Sequence, residues 1–160
     1  MAGSGVMLRE VCTYWRPTVS GPDGVAIKIP RGSLCGPAAV AQIGASIIGA
    51  EVVEVFGVVL CDARNAPIGW VEVSRGTVNT TLVDPGAVVR PAVLIGAAAL
   101  ACVHNHPSGD PAPSPEDAEV TRRVQAAAAV FGLTVLDHVV IGGEGRFYSF
   151  RDSGACGPWA

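Results

Sequence analysis

Apolar residues fall in short, separated blocks along this chain, and the spacing inside the blocks alternates between helical and strand-like. From Pro37 to about Gly49, Val40, Ile43 and Ile47 recur at helical intervals. Pro37 suits a first helical position, where no backbone N–H is needed. Val52 to Asp62 is a β-branched run that predicts a buried strand. After the turn "ARNAP", the segment "IGWVEVSRG" returns as its hairpin partner. Asp84 as N-cap and Pro85 at the first turn open a second helix toward Ile95, which Pro91 should kink or break. "ALACVHNH" follows as a buried strand, and "PSGDPAP" as a loop. Ser114 then caps a third helix that begins with Pro115, carries acids in its first turn and ends at Gly132. "LTVLDHVVIGG" and "RFYSF" complete the series as two strands.

Strands interleaved with helices, with hairpins early and late, predict one α/β (α+β) domain: a mixed sheet flanked by helices. We assign residues 36–152 to it, residues 1–35 to a turn-rich N-terminal arm packing on the main body, and residues 153–160 to a flexible tail. No internal repeat or low-complexity tract interrupts this order.

Composition narrows the classes. The chain has 160 residues, enough for one core. Hydrophobic residues at 49% against 16% charged exclude a disordered chain. A mean hydropathy of +0.42 fits a deeply buried sheet or an oligomer interface, so a homodimer is compatible. Apolar runs stay short of the roughly 20 residues of a membrane span, and the N-terminus shows no apolar secretory core. Five cysteines, an odd number without a CxxC pair, point to neither a disulfide framework nor a Cys-rich metal site. A cytoplasmic location is the expectation. Net charge is −3, with eleven Lys and Arg spread thinly, which argues against a dedicated DNA binder.

The chemistry concentrates in "VHNHPSGDPAPSPED", Val103 to Asp117. His104 and His106 lie two apart on a strand, so their side chains share a face while Asn105 points away. The Pro/Gly loop turns the chain back and brings Asp117 toward the rings. Two imidazoles and a carboxylate leave a fourth tetrahedral position open, the layout of a catalytic zinc site. Each residue also has a structural reading. A histidine pair at a strand end can be polar edging. Asp117, three residues after Ser114, is placed to complete a capping box, and Ser114 alone reads as a cap. Hydrolysis by such a site needs a base, and among Glu51, Glu54, Asp62, Glu72 and Asp84, Glu54 stands out at the entry to an apolar strand. Glu51 reads as exposed at a helix end. His138 reads as a structural histidine before a ligand-supporting one, Cys102 as core, and Arg122 and Arg123 as a solvated helix face. The letters H-N-H do not make a nuclease of that name, whose residues are spread along a ββα unit.

The stretch "HNHPSGDPAPSPED" resembles the JAMM/MPN metallopeptidase motif: His-x-His, seven residues beginning with Pro, then Ser-x-x-Asp. His104, His106, Pro107, Ser114 and Asp117 fill its fixed positions. "LDHVVIGG" and "RFYSF" resemble the RadC-type (JAB domain) branch, over about Pro37 to Phe150. The resemblance implies that His104, His106 and Asp117 hold one Zn²⁺ per chain. It implies that Glu54 orients and deprotonates a water, and that Ser114 stabilises the oxyanion. The implied reaction is zinc-dependent hydrolysis of a peptide or isopeptide bond, with a protein or peptide substrate and often a ubiquitin-like tag. Longer RadC-type proteins carry a helix-hairpin-helix DNA-binding segment, and we find no such pattern in residues 1–35. Two alternatives remain: a non-catalytic MPN-type binding module, although such modules typically lose ligands that this chain keeps, and a DNA-transaction accessory protein.

Overall fold

The computed structural model describes residues 32–76 and 83–159, so the arm expected at residues 1–35 lies almost wholly outside the described residues. Among these, the elements run α1 (Pro37–Ile48), β1 (Val55–Cys61), β2 (Pro67–Arg75), α2 (Pro85–Leu94), β3 (Ala99–Asn105), α3 (Pro115–Val130), β4 (Thr134–Ile141) and β5 (Phe147–Ser149). The five strands form one mixed sheet in the order β2-β1-β3-β4-β5. Only the β3–β4 pair is parallel, and α3 is the crossover between those two strands. The expected α/β architecture is therefore the observed one.

Helices cover both faces, so the central strands are apolar on both sides, and every residue of β1 and β3 is buried. One face packs under α1: Val40, Ile43 and Ile47 meet Val55, Val59, Ala101, Val103 and Ile141. The helix can sit this low because Gly44 has no side chain, and a Cβ there would stand 2.4 Å from Val103 Cγ1. The opposite face packs under α2 and α3: Val88, Val89, Val120 and Val124 meet Phe56, Val58, Leu60, Leu100 and Cys102. By strand alternation His104 continues this second face.

Several local expectations differ from the structure. The first strand begins at Val55 rather than Val52, because residues 51–54 are held by a side chain of β3, described below. Helix α2 runs through Pro91 to Leu94. Pro91 denies an N–H to the Ala87 carbonyl, but Ala87 is only half-buried, and the next turn closes through Ile95 N–H to Pro91 O at 3.2 Å. Beyond β5, residues 150–156 form turns, Cys156 Sγ reaches Ala118 O at 3.4 Å, and Trp159 packs against the α2/α3 side of the core.

Candidate metal centre

Strand β3 is the middle of the sheet, and its last residues reach the site. His104 pairs with Phe56 of β1 on one side and Val140 of β4 on the other, so the backbone beneath the ring is fixed from both sides. His106 follows immediately, its N–H bonded to Ile141 O at 2.9 Å. The loop then turns through Gly109, whose φ of +80° favours glycine. Gly109 O accepts from Gly143 N at 2.8 Å and from Arg146 Nη2 at 2.9 Å, which ties the loop to the β4–β5 turn. Gly142 permits that contact, since a Cβ there would lie 2.7 Å from both Gly109 O and Pro111 Cδ.

Asp117 stands in the first turn of α3 and makes both sets of contacts that sequence left as rivals. Its Oδ2 accepts from Ser114 N at 2.7 Å while Ser114 Oγ accepts from Asp117 N at 3.1 Å, a complete capping box. Its Oδ1 lies 3.2 Å from His104 Nε2, and Oδ2 lies 3.7 Å from His106 Nε2. The cap fixes the carboxylate that faces the rings. Ser114 Oγ also donates to Asp117 Oδ2 at 2.8 Å, so its only proton points into the site.

The ring nitrogens face one another: His104 Nε2 and His106 Nε2 are 3.0 Å apart. Their outer nitrogens have defined partners. His106 Nδ1 lies 2.9 Å from Asp110 O, and a carbonyl only accepts, so that nitrogen carries a proton. His104 Nδ1 lies 2.8 Å from His138 Nε2, and His138 Nδ1 lies 2.6 Å from Thr121 Oγ1. The inner Nε2 atoms of both rings and the carboxylate oxygens of Asp117 thus converge on one place. Glu54, at the mouth of β1, completes the group: one ligand atom from each of Glu54, His104, His106 and Asp117 lies within 4.8 Å of all the others.

Electrostatics follow from this crowding. Burial works to raise the Asp117 carboxyl, but the His104 and His106 rings beside it and the Ser114 N–H outweigh that effect and hold it well below the usual carboxylate range. The bond to Asp117 raises His106 above its ordinary value of 6.5, against the opposing effect of burial. His138 is pushed well below that value by burial and by the neighbouring His104. Phe56 lies against His104 at a centroid distance of 6.0 Å, and Phe150 stacks on His138 at 5.0 Å, so the inner wall is apolar.

A divalent cation suits this donor set. Imidazole nitrogens and a carboxylate oxygen are the zinc ligands of open, catalytic-type sites. With bonds of about 2.0–2.1 Å, tetrahedral ligands stand roughly 3.3–3.4 Å apart. His104 Nε2 stands 3.0 Å from His106 Nε2 and 3.2 Å from Asp117 Oδ1, just under that edge, and Asp117 Oδ2 lies 3.7 Å from His106 Nε2.

Sequence did not assign a task to Asn105. It does point away from the two rings, as expected, but into a task of its own. Its Oδ1 accepts from Val55 N at 2.8 Å, and its Nδ2 donates to Glu51 O at 3.2 Å and Val53 O at 3.0 Å. The residue between the histidines thereby pins the segment that carries Glu54. The signal was there in the Asn of "HNH", but its partners are some fifty positions away. His138, read as structural, does bond within the protein, yet its partner is His104. Glu51, read as exposed, is gripped by Arg75 at 2.6 and 3.1 Å. Cys102 is fully buried core, its thiol pushed up to about 12 by burial and then by Asp137. Arg122 pairs with Glu119 at 2.8 Å on the exposed face of α3.

No described helix is long and apolar enough to cross a membrane. A family model described as the RadC-like JAB domain matches residues 34–155. A UPF0758 protein of Symbiobacterium thermophilum is 41% identical over 145 residues, 91% of this chain and 62% of the relative. One from Geobacter sulfurreducens is 48% identical over 101 residues, 63% of this chain and 44% of the relative. Another, from Stenotrophomonas maltophilia, is 40% identical over 136 residues, 84% of this chain and 58% of the relative. The chain thus spans about half the length of these relatives, or somewhat more. With the mixed sheet, the His-x-His strand end and the capped Asp117 in place, this chain belongs to the RadC-like JAB domain family, the RadC-type branch of the JAMM/MPN proteins.

Proposed function

We propose that this protein is a zinc-dependent hydrolase of the JAMM/MPN class that cleaves a peptide or isopeptide bond. One observation carries the proposal: His104 Nε2, His106 Nε2 and an Asp117 carboxylate oxygen converge as ligands, with the Glu54 carboxylate beside them. His104, His106 and Asp117 would hold one Zn²⁺, which supplies an acidified water and polarises the scissile carbonyl. Glu54 takes the proton of the attacking water and passes it to the leaving amine. Ser114 turns its hydroxyl from Asp117 to the oxyanion, the role of an oxyanion-hole donor. Asp117, held by the capping box, and His106, held by Asp110 O, keep the ligands from following the substrate. The apolar wall of Phe56 and Phe150 excludes water from the inner side.

The substrate class we propose is a protein or peptide, a ubiquitin-like tag among them, in the cytoplasm, where the free thiols of Cys35, Cys61, Cys102 and Cys156 stay reduced. Glu54→Gln keeps the size of the side chain and removes the base. It should abolish turnover of a peptide or isopeptide substrate while zinc binding persists. Full activity in that variant would remove Glu54 from its role. Zinc binding without turnover of any such bond by the wild type would favour the binding-module alternative.

A further inference from the structure

We propose that Thr121 and His138 are positioning residues that set the tautomer of His104, so that its Nε2 is free to take a metal ion. The inference rests on the metal-binding reading of His104 given above. It follows from counting protons along a buried chain of four groups.

The count starts at the end whose polarity cannot change. Thr121 Oγ1 lies 2.6 Å from Asp117 O, and a carbonyl oxygen only accepts, so the hydroxyl proton goes there. Thr121 Oγ1 must then accept from His138 Nδ1, 2.6 Å away, so that nitrogen carries a proton. A neutral imidazole with a proton on Nδ1 has a bare Nε2. The bare His138 Nε2 accepts from His104 Nδ1 at 2.8 Å. His104 therefore carries its proton on Nδ1 and presents a lone pair on Nε2, the atom that faces His106 Nε2 and Asp117 Oδ1. Each donor in this chain has one acceptor, and no group is asked to donate twice.

Burial makes the order hard to reverse. Thr121, His138 and His104 are 2%, 1% and 0% exposed, so water does not substitute for a missing partner. Reversal would leave the Asp117 carbonyl facing an oxygen with no proton to give it. The chain also closes on itself: it begins at the backbone of one proposed ligand, Asp117, and ends on the ring of another, His104. His106 takes the same tautomer by a separate route, through Asp110 O. The protein thus determines both imidazoles before any metal arrives. Groups that orient metal-bound histidines in this way typically matter by about 10–100-fold in affinity.

The test compares Thr121→Val, which keeps the shape and removes the hydroxyl, with Thr121→Ser, which restores it. Two readouts are taken: nitrogen-15 spectra of the imidazoles in the metal-free protein above neutral pH, and zinc affinity by chelator competition. In the wild type, His104 and His138 should both show the Nδ1–H form. Thr121→Val should mix the tautomers of both rings and weaken zinc binding by about 10–100-fold, and Thr121→Ser should recover both. An Nε2–H form of His104 in the wild type overturns the proposal, and so does wild-type zinc affinity in a folded Thr121→Val. Should Thr121→Val not fold, the wild-type spectrum and the Thr121→Ser affinity still decide it. A wild type with the Nδ1–H pattern that takes up no zinc would sink the hydrolase reading and leave the tautomer relay standing.

Discussion

Replacing Asn105 by Ala should separate the two halves of the site. Asn105 is 3% exposed and makes three hydrogen bonds to the backbone from Glu51 to Val55, the first residue of β1. Their loss is unequal. Glu51 and Val53 are not buried, so their carbonyls can turn to water. Val55 is 0% exposed, and its N–H has Asn105 Oδ1 as its partner, so it is stranded. A stranded buried donor costs about 1–3 kcal/mol. Adding the small void left by the amide, we expect a loss of about 2–3 kcal/mol. For a domain of this size that lowers the melting temperature by about 8–12 °C. The functional effect is expected to be selective. His104, His106 and Asp117 are held from elsewhere, so zinc affinity should stay within about threefold of wild type, since no ligand contact is removed. Glu54 rides on the released segment, so kcat for peptide or isopeptide cleavage should fall by about 100-fold, as for a base displaced by an ångström, with KM little changed. Thermal melts, chelator competition and steady-state kinetics check the three parts. A melting point within about 1 °C of wild type, or zinc affinity falling in step with kcat, would refute the account of Asn105 as the anchor of Glu54 alone.

Two further predictions concern the ligands and the loop that carries one of them. Zinc binding requires a deprotonated His106, whose pKa is raised above 6.5 in the metal-free protein, whereas Asp117 is ionised throughout the neutral range. Apparent zinc affinity should therefore fall by up to about tenfold per pH unit once the pH drops below the raised His106 value, starting above 6.5, and a flat profile from direct titration would contradict the His106–Asp117 contact. In the absence of metal the sign reverses: that contact stabilises the fold below the unfolded-state value near 6.5 and is lost as pH rises through the higher folded value. Gly142→Ala should force the backbone at Gly109 and Pro111 outward, cost about 1–3 kcal/mol by overpacking, and weaken zinc binding by loosening the Asp110 carbonyl from His106. Zinc affinity equal to wild type in a folded Gly142→Ala would remove the loop from that role.

The parts of the site that sequence made legible are the local ones. His104, His106, Ser114 and Asp117 lie within one strand, one loop and one helix start, so alternation and capping rules relate them directly. Glu54 is different. Its approach to the histidines depends on how β1 registers against β3, which residue order does not reveal, and it was singled out by its place at a strand mouth and by family resemblance. Thr121 escaped, and Asn105 and His138 were legible only without their tasks, because the partners that define those tasks come from other strands and helices. Alternation correctly turned Asn105 to the other face but could not say what waited there. Helix α2 passing Pro91 shows a local preference yielding to burial: Val88, Val89 and Ala92 are packed on the sheet, and that outweighs one missing hydrogen bond. Val52 and Val53 look like strand residues, but both are exposed and lie in the segment that Asn105 holds, so β1 starts only at Val55.

The measurement that bears most directly on the whole account is the metal content and zinc titration of the purified wild-type protein beside His106→Ala. The account predicts one zinc per chain in the wild type, removable by chelator and restored on addition, and a large loss of binding in the variant with the fold retained. A folded wild type that neither carries zinc nor takes it up, or a His106→Ala variant that binds it equally well, would contradict the claim that these imidazoles and Asp117 exist to hold a metal ion.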